Sequence, residues 1–367
     1  MKQIFKRAAA VVGTAALVMA AGCTSESASP KAELEKAMAS LSAAKSYTFN
    51  TTATFKELSM PQAAANEGGQ GQTGSLAPGS IGDMLNGLKL TMDGVYQKDP
   101  MRTDANIKLT MPGNPSVELT LPMIMTGDKL YVQIPAIPGI QVPQELVGKY
   151  VMLDTAKMAQ EQGQPAQMLD PSIQQRLMMD AGAAFIKPFD EKTYFKSLKA
   201  EDAGVPADLK PDSVVQFGID SSNGEQAITT AVEQALPAVL DVVLSNEAYL
   251  KALGLDKAKV EEQKKQLADN KSELSAKLKQ ELKLNEVKII SAIKDGKLAY
   301  QSLDANIEYS GSAEGSGPVK LVMNNVTAYS KVDEAAAFTQ EIPKDAVSVE
   351  ELISKISMNL GTALPQS

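Results

Sequence analysis

Between residues 88 and 134 apolar side chains recur at every second position, and a period of two is what a strand with one buried face dictates. Leu88, Leu90 and Met92 lead toward Tyr96; Ile107, Leu109 and Met111 follow; then Val117, Leu119, Leu121, Met123 and Met125 alternate, and Leu130, Val132 and Ile134 make a shorter run. Pro112-Gly113-Asn114-Pro115 and Gly127-Asp128 supply turns between these runs. Strands joined this tightly pair antiparallel, and a sheet with one apolar face must be covered by protein or by a ligand. Tyr47, Phe49, Thr51, Ala53 and Phe55 alternate in the same way, and strands return over 285–293, 297–309 and 319–329. Within the second of these, Asp304-Ala305-Asn306-Ile307 repeats Asp104-Ala105-Asn106-Ile107. The repeat leads us to expect similar meander strands from both ends of the chain, feeding one sheet.

Helical periodicity frames these strands. Over 31–44, Leu34, Ala37, Met38 and Leu41 fall on one face, behind Pro30 at the start. Residues 154–282 read as a helical insertion. Its first part, 154–195, is rich in Met and Gln and predicts two or more short helices broken near Pro165, Pro171 and Pro188. A strand at 214–219 precedes helices at 227–244 and 246–253, with a kink or break expected at Pro237. The clearest helix covers 256–282, about 40 Å at 1.5 Å per residue, with a thin stripe of Val260, Leu267, Leu274, Leu278 and Leu282 among charges. Such a stripe packs along an edge of its own domain, or serves dimerisation or the docking of an envelope protein. Residues 60–82 carry no apolar period and predict a flexible loop. Near the end, Ser348 and Glu351 have capping-box spacing for a last helix at 348–356.

The chain opens with Lys2, Lys6 and Arg7 and then a small apolar run from Ala8 to Ala21, too short for a permanent span of about 20 apolar residues. This start reads as a secretory signal over 1–22. The run ends Met19-Ala20-Ala21-Gly22-Cys23, which resembles the bacterial lipobox with Ala20 where leucine is usual. That resemblance implies a diacylglyceryl thioether on Cys23, a polar tether over 23–30, and a body held at the extracytoplasmic face of a membrane. Cys23 is the only cysteine, so intrachain disulfides and paired-thiolate metal sites are excluded.

Four phrases carry a wider resemblance. Lys45-Ser46-Tyr47-Thr48-Phe49 follows the first helix; Asp128-Lys129-Leu130-Tyr131-Val132 and Gly148-Lys149-Tyr150-Val151-Met152-Leu153-Asp154 follow later, and Ile342-Pro343-Lys344-Asp345-Ala346 closes the body. Together they resemble segments of the lipoprotein-carrier family, which includes the mycobacterial lipid-binding lipoproteins. Tyr150 stands where tryptophan is common. The resemblance implies an α+β fold over 31–346, a large curved antiparallel sheet of half-barrel type with covering and inserted helices, followed by a C-terminal helix and tail over 347–367. It also implies acyl chains held against the concave face. Leu90, Met92, Ile107, Leu109, Met111, Leu119, Leu121 and Met123 are the candidate lining residues, since flexible methionine suits irregular acyl chains as well as core gaps.

Chemistry is restricted by what the chain lacks. With no histidine there is no Ser-His-Asp or Cys-His arrangement. Asp93, Asp99, Asp128 and Asp295 sit beside Gly or Pro turns, where carboxylates cap backbone donors. No calcium-loop, phosphate-loop or penicillin-binding serine motif is present. A net charge of -8 argues against nucleic acid. No cofactor and no metal are expected. The leading expectation is a noncatalytic, membrane-anchored protein that binds, carries or senses a lipid or other apolar ligand. The alternatives are a structural or protein-interaction module of the cell envelope using 256–282, and, third, a hydrolase or lyase of unrecognised type.

Overall fold

The computed structural model describes residues 29–59, 86–113, 116–136, 142–155, 157–158, 171–311 and 318–362. Twelve strands form one open, curved sheet: β1 (Ser46–Ser59), β2 (Lys89–Gln97), β3 (Arg102–Met111), β4 (Val117–Thr126), β5 (Lys129–Gln133), β6 (Tyr150–Asp154), β7 (Phe195–Leu198), β8 (Ser213–Asp220), β9 (Leu282–Lys294), β10 (Lys297–Tyr309), β11 (Val319–Ser330) and β12 (Val347–Ser348). Their order is β12-β6-β5-β4-β3-β2-β1-β11-β10-β9-β8-β7. All neighbours pair antiparallel except β12 with β6. The two edge strands have two and four residues, which leaves little unpaired backbone for another chain to join.

The pairing of β1 with β11 joins the two ends of the chain. The repeated Asp-Ala-Asn-Ile phrases therefore lie in β3 and β10 of the same sheet. Direct partners share a face, so the register traces a row from Phe217 through Ile289, Leu303, Asn325, Ala53, Leu90 and Leu109 to Leu119. We call this the inner face, because the helices cover it.

Helix α1 (Pro30–Ala43) begins with the Ser29 hydroxyl accepting from the Ala32 N–H at 3.3 Å, and it buries Leu34, Ala37 and Leu41 against the sheet. Its Lys31 ammonium donates to the carbonyls of Lys187 and Phe189 just beyond α2 (Pro171–Ile186), at a helix end where a cation is favourable. Pro171 opens α2 and Pro188 separates it from a short helix at Glu191–Tyr194, so the described part of this stretch holds two helices that break where expected, while Pro165 lies outside the described residues. Helix α3 (Gly224–Ser245) does not break at Pro237. A π-turn over Ala231–Ala235 precedes that proline, with the Leu236 N–H reaching back five residues to the Ala231 carbonyl. Helix α4 (Glu247–Ala252) is capped by Asn246, and α5 (Lys257–Glu281) by Asp256, which accepts from the Lys259 N–H at 3.1 Å. Helix α6 (Val349–Thr362) starts with the Ser348 hydroxyl accepting from the Glu351 N–H at 3.1 Å.

Two cores hold the helices. Phe189, Tyr194, Phe195 and Phe217 pack edge-on and stacked, with centroids 5.0–6.1 Å apart, beneath α1 and α2. A smaller cluster of Leu177, Val243, Tyr249, Leu250 and Val260 joins α2 to α5 through α3 and α4. On the outer face the chain after β11 crosses back over the sheet. There the Arg102 guanidinium donates to Asp104 at 2.8 and 2.9 Å, lies 4.2 Å from the Phe338 ring centre, and also donates to the Gln340 carbonyl.

Candidate functional site

The packing above leaves a region of the inner face unfilled between α2 and α3. Its floor is Phe217 and Ile219 on β8, Leu284, Val287 and Ile289 on β9, and Ile307 on β10. Gly182, Phe185 and Ile186 of α2, with Phe189, form one wall; Ala227, Ile228, Ala231, Val232 and Leu236 of α3 form another, and Leu278 and Leu282 close the end beside α5. The cavity measures about 520 Å³, and every lining residue is apolar. None of these side chains donates or accepts a proton, so the chemistry available here is exclusion of water around an apolar group. The space opens to solvent beside Leu236, which is 38% exposed.

Two local features keep the space open. Gly182 lies within α2, where glycine costs about 1 kcal/mol relative to alanine, and a Cβ built on it meets nothing within 4 Å. The π-turn places Ala231 and Val232 at the cavity wall, and its wider winding re-aims the side chains that follow. Polar groups fasten the end near Leu282: the Ser310 N–H donates to the Glu281 carbonyl at 2.7 Å and the Tyr309 hydroxyl to the Glu281 carboxylate at 3.3 Å.

The residues expected to line a ligand occupy the same face but not this cavity. Leu90, Leu109 and Leu119 form one row across β2, β3 and β4; Met92, Ile107 and Leu121 form the next; Met123 stands beside Ala105, and Met111 pairs with Val117 at the strand ends. All eight are half-buried. From Ile307 on β10 to the row on β2 is three strand spacings, about 14 Å. Sequence reading missed Gly182 and the aromatic wall, because neither belongs to an alternating run. A glycine within a helical pattern was the available signal. Of the 256–282 stripe, Val260 is buried in the smaller core, while Leu278 and Leu282 face the cavity. Cys23, the 1–22 leader and the 60–82 segment lie outside the described residues. Among the described residues, no group of His, Cys, Asp or Glu side chains could hold a metal ion. Tyr249, in the smaller core, is pushed up to about 12 by burial and by the Asp180 carboxylate to which it donates.

No family model matches the chain. No curated protein matches it either. A solved structure of lipovitellin, concerned with lipid–protein interactions, shares 7% identity at a TM-score of 0.25; the match covers 82% of this chain and 26% of lipovitellin, so the chain spans about a quarter of that protein. The dehydratase domain of the CurF module of curacin polyketide synthase shares 10% identity at a TM-score of 0.08, over 82% of this chain and 83% of that one. At these scores neither defines a shared fold.

Proposed function

We propose that this chain is a noncatalytic lipoprotein, anchored through diacylglyceryl on Cys23 at the extracytoplasmic face of a membrane, that binds a lipid or other apolar ligand and so carries or senses it. The observation that carries the reading is the cavity of about 520 Å³ with a wholly apolar lining. Ligand pockets of 300–1,000 Å³ with mainly apolar walls are the usual size for small-molecule binding. The leader and Cys23 context support export and lipidation, and the resemblance to the lipoprotein-carrier family supports a ligand held against a curved sheet. The candidate residues on β2 to β4 extend the apolar surface of the same face, giving a longer ligand somewhere to run.

Native mass spectrometry of protein extracted in mild detergent tests the binding claim. Copurified lipid, released by solvent and restored on adding it back, is the expected result; a protein that neither retains nor regains any apolar mass overturns it. Anchoring is tested separately with Cys23→Ser, which should abolish metabolic labelling by fatty acid and leave an uncleaved precursor. Normal labelling in that variant would refute the lipid attachment.

A further inference from the structure

A second pocket lies toward the other end of α2, at the opposite end of the strands. It measures about 330 Å³ and is walled by Tyr47, Tyr96 and Tyr329 from the sheet and by Gln175, Arg176 and Met179 from α2, with Lys98 and Asp99 at its rim. The Tyr47 ring centre lies 4.9 Å from that of Tyr96 and 5.7 Å from that of Tyr329. The Gln175 side-chain amide donates to the Tyr47 oxygen. With its oxygen already accepting, Tyr47 has its own O–H left to donate.

The charges of this pocket are unspent. Among the described residues, neither the Arg176 guanidinium nor the Lys98 ammonium has a hydrogen-bond or ion-pair partner, and Asp99 pairs with neither. Two cations against one carboxylate give a positive site on a chain whose net charge is -8. Burial raises the Tyr47, Tyr96 and Tyr329 phenols, so all three stay protonated donors at neutral pH. A guanidinium fork, an ammonium and phenol groups on residues that line one space offer the donors a tetrahedral oxyanion with several acceptor oxygens requires.

We propose that this pocket binds a phosphate group, with Arg176 and Lys98 matching its charge and the tyrosine hydroxyls donating to its oxygens. The group arrives either as free phosphate or as the headgroup of a phospholipid. This site stands apart from the apolar cavity: the two share α2 but none of their lining residues.

The test uses full-length protein in a non-ionic detergent, titrated with inorganic phosphate and, separately, with dihexanoyl phosphatidate. Calorimetry reads binding, and tyrosine fluorescence, free of tryptophan, responds to the three of nine tyrosines that line the pocket. Arg176→Gln should weaken binding about tenfold or more, the usual effect of losing a charge-assisted hydrogen bond. Asp99→Asn should strengthen it a few-fold by removing a like charge. Both side chains are exposed, so thermal unfolding should be unchanged in both variants. Binding of inorganic phosphate with these two opposite signs supports the site and shows that the free anion suffices. Binding of phosphatidate alone, with the same signs, supports it and assigns the phosphate to a lipid headgroup. Absence of binding by either probe, indifference to Arg176→Gln, or weaker binding in Asp99→Asn overturns it. Gly182→Leu, which fills the other cavity, should leave the phosphate titration unaltered, so failure of the apolar reading would not mimic failure here.

Discussion

Replacing Gly182 by leucine should stabilise the empty protein and weaken it as a binder. Gly182 lies inside α2 and lines the cavity, and a Cβ there meets nothing within 4 Å. Removing a helix-interior glycine contributes about 0.5–1 kcal/mol. Burying a leucine side chain in the void adds about 1.5–3 kcal/mol. The sum, roughly 2–4 kcal/mol, should raise the midpoint of thermal unfolding of delipidated protein by about 3–5 °C. Ligand at one hundred times its Kd stabilises the parent by about 2.7 kcal/mol; a hundredfold loss of affinity would cut this to about 0.4 kcal/mol at the same concentration. Circular dichroism melts of delipidated protein, with and without an added fatty acid, measure both terms. Damage to the fold would lower both melts, whereas occlusion raises the first and removes the difference. A variant that melts lower than the parent while keeping the full ligand-induced shift would refute the assignment of this space as the binding site.

Further expectations follow from the packing. Phe217→Ala removes a side chain 2% exposed at the centre of the aromatic core, and should cost about 3–5 kcal/mol in urea unfolding; a midpoint near the parent's would show that the core repacks. Arg102→Ala strands the Asp104 carboxylate, 3% exposed, without its cation and should cost about 3–5 kcal/mol by the same measurement, against little loss if the strap rather than the ion pair holds this face. The Lys45 N–H bond at 2.8 Å, followed by the Lys297 ammonium at 3.1 Å, holds the Asp333 carboxyl below its ordinary value. Its folded pKa is depressed, so its contribution is full above the ordinary carboxylate range and is lost as pH falls through the folded value. Asp333→Asn should therefore differ from the parent at pH 7 and converge with it in acid; a gap that persists or widens in acid contradicts this. In hydrogen exchange, added lipid should slow amides of residues 227–245 more than those of β8 to β10, and uniform slowing would argue against α3 as the moving wall.

Local physics made much of the fold readable in advance. Strand β10 spans 297–309 as its alternation predicts, and the Ser348–Glu351 spacing is realised as a capping bond. The repeated phrase pointed to one sheet, and Ala105 and Ala305 do face the same side of it. What could not be read was which part of that face the helices leave open. Alternation specifies that Leu90 and Ile289 are apolar and face a common side; only the pairing of β1 with β11 and the placement of α2 and α3 decide that Ile289 lines the void. The prolines were legible in part: Pro171 and Pro188 do bound a helix, with a second short helix beyond Pro188, whereas Pro237, expected to kink or break its helix, is accommodated by the π-turn ahead of it.

Of the walls of the cavity, α3 is the one with the most apolar surface still in water. Strands β8, β9 and β10 are each bonded on both sides, so displacing them would break ladders along their length. Helix α2 is tied down by Lys31 across its end and by the aromatic core beneath it. Helix α3 keeps its backbone hydrogen bonds within itself and is tied to α5 through the Asp241–Lys264 ion pair; although it is apolar enough by length and composition to pass for a membrane span, only 28% of its most apolar window is buried in the protein. A helix so apolar and so little buried gains less from its present packing than its sequence would permit. Its cavity side carries the small residues Ala227 and Ala231, and Leu236 stands at the solvent edge of the same wall. A ligand entering beside Leu236 would cover apolar surface that α3 now leaves in water, so occupancy and the docking of this helix should strengthen each other.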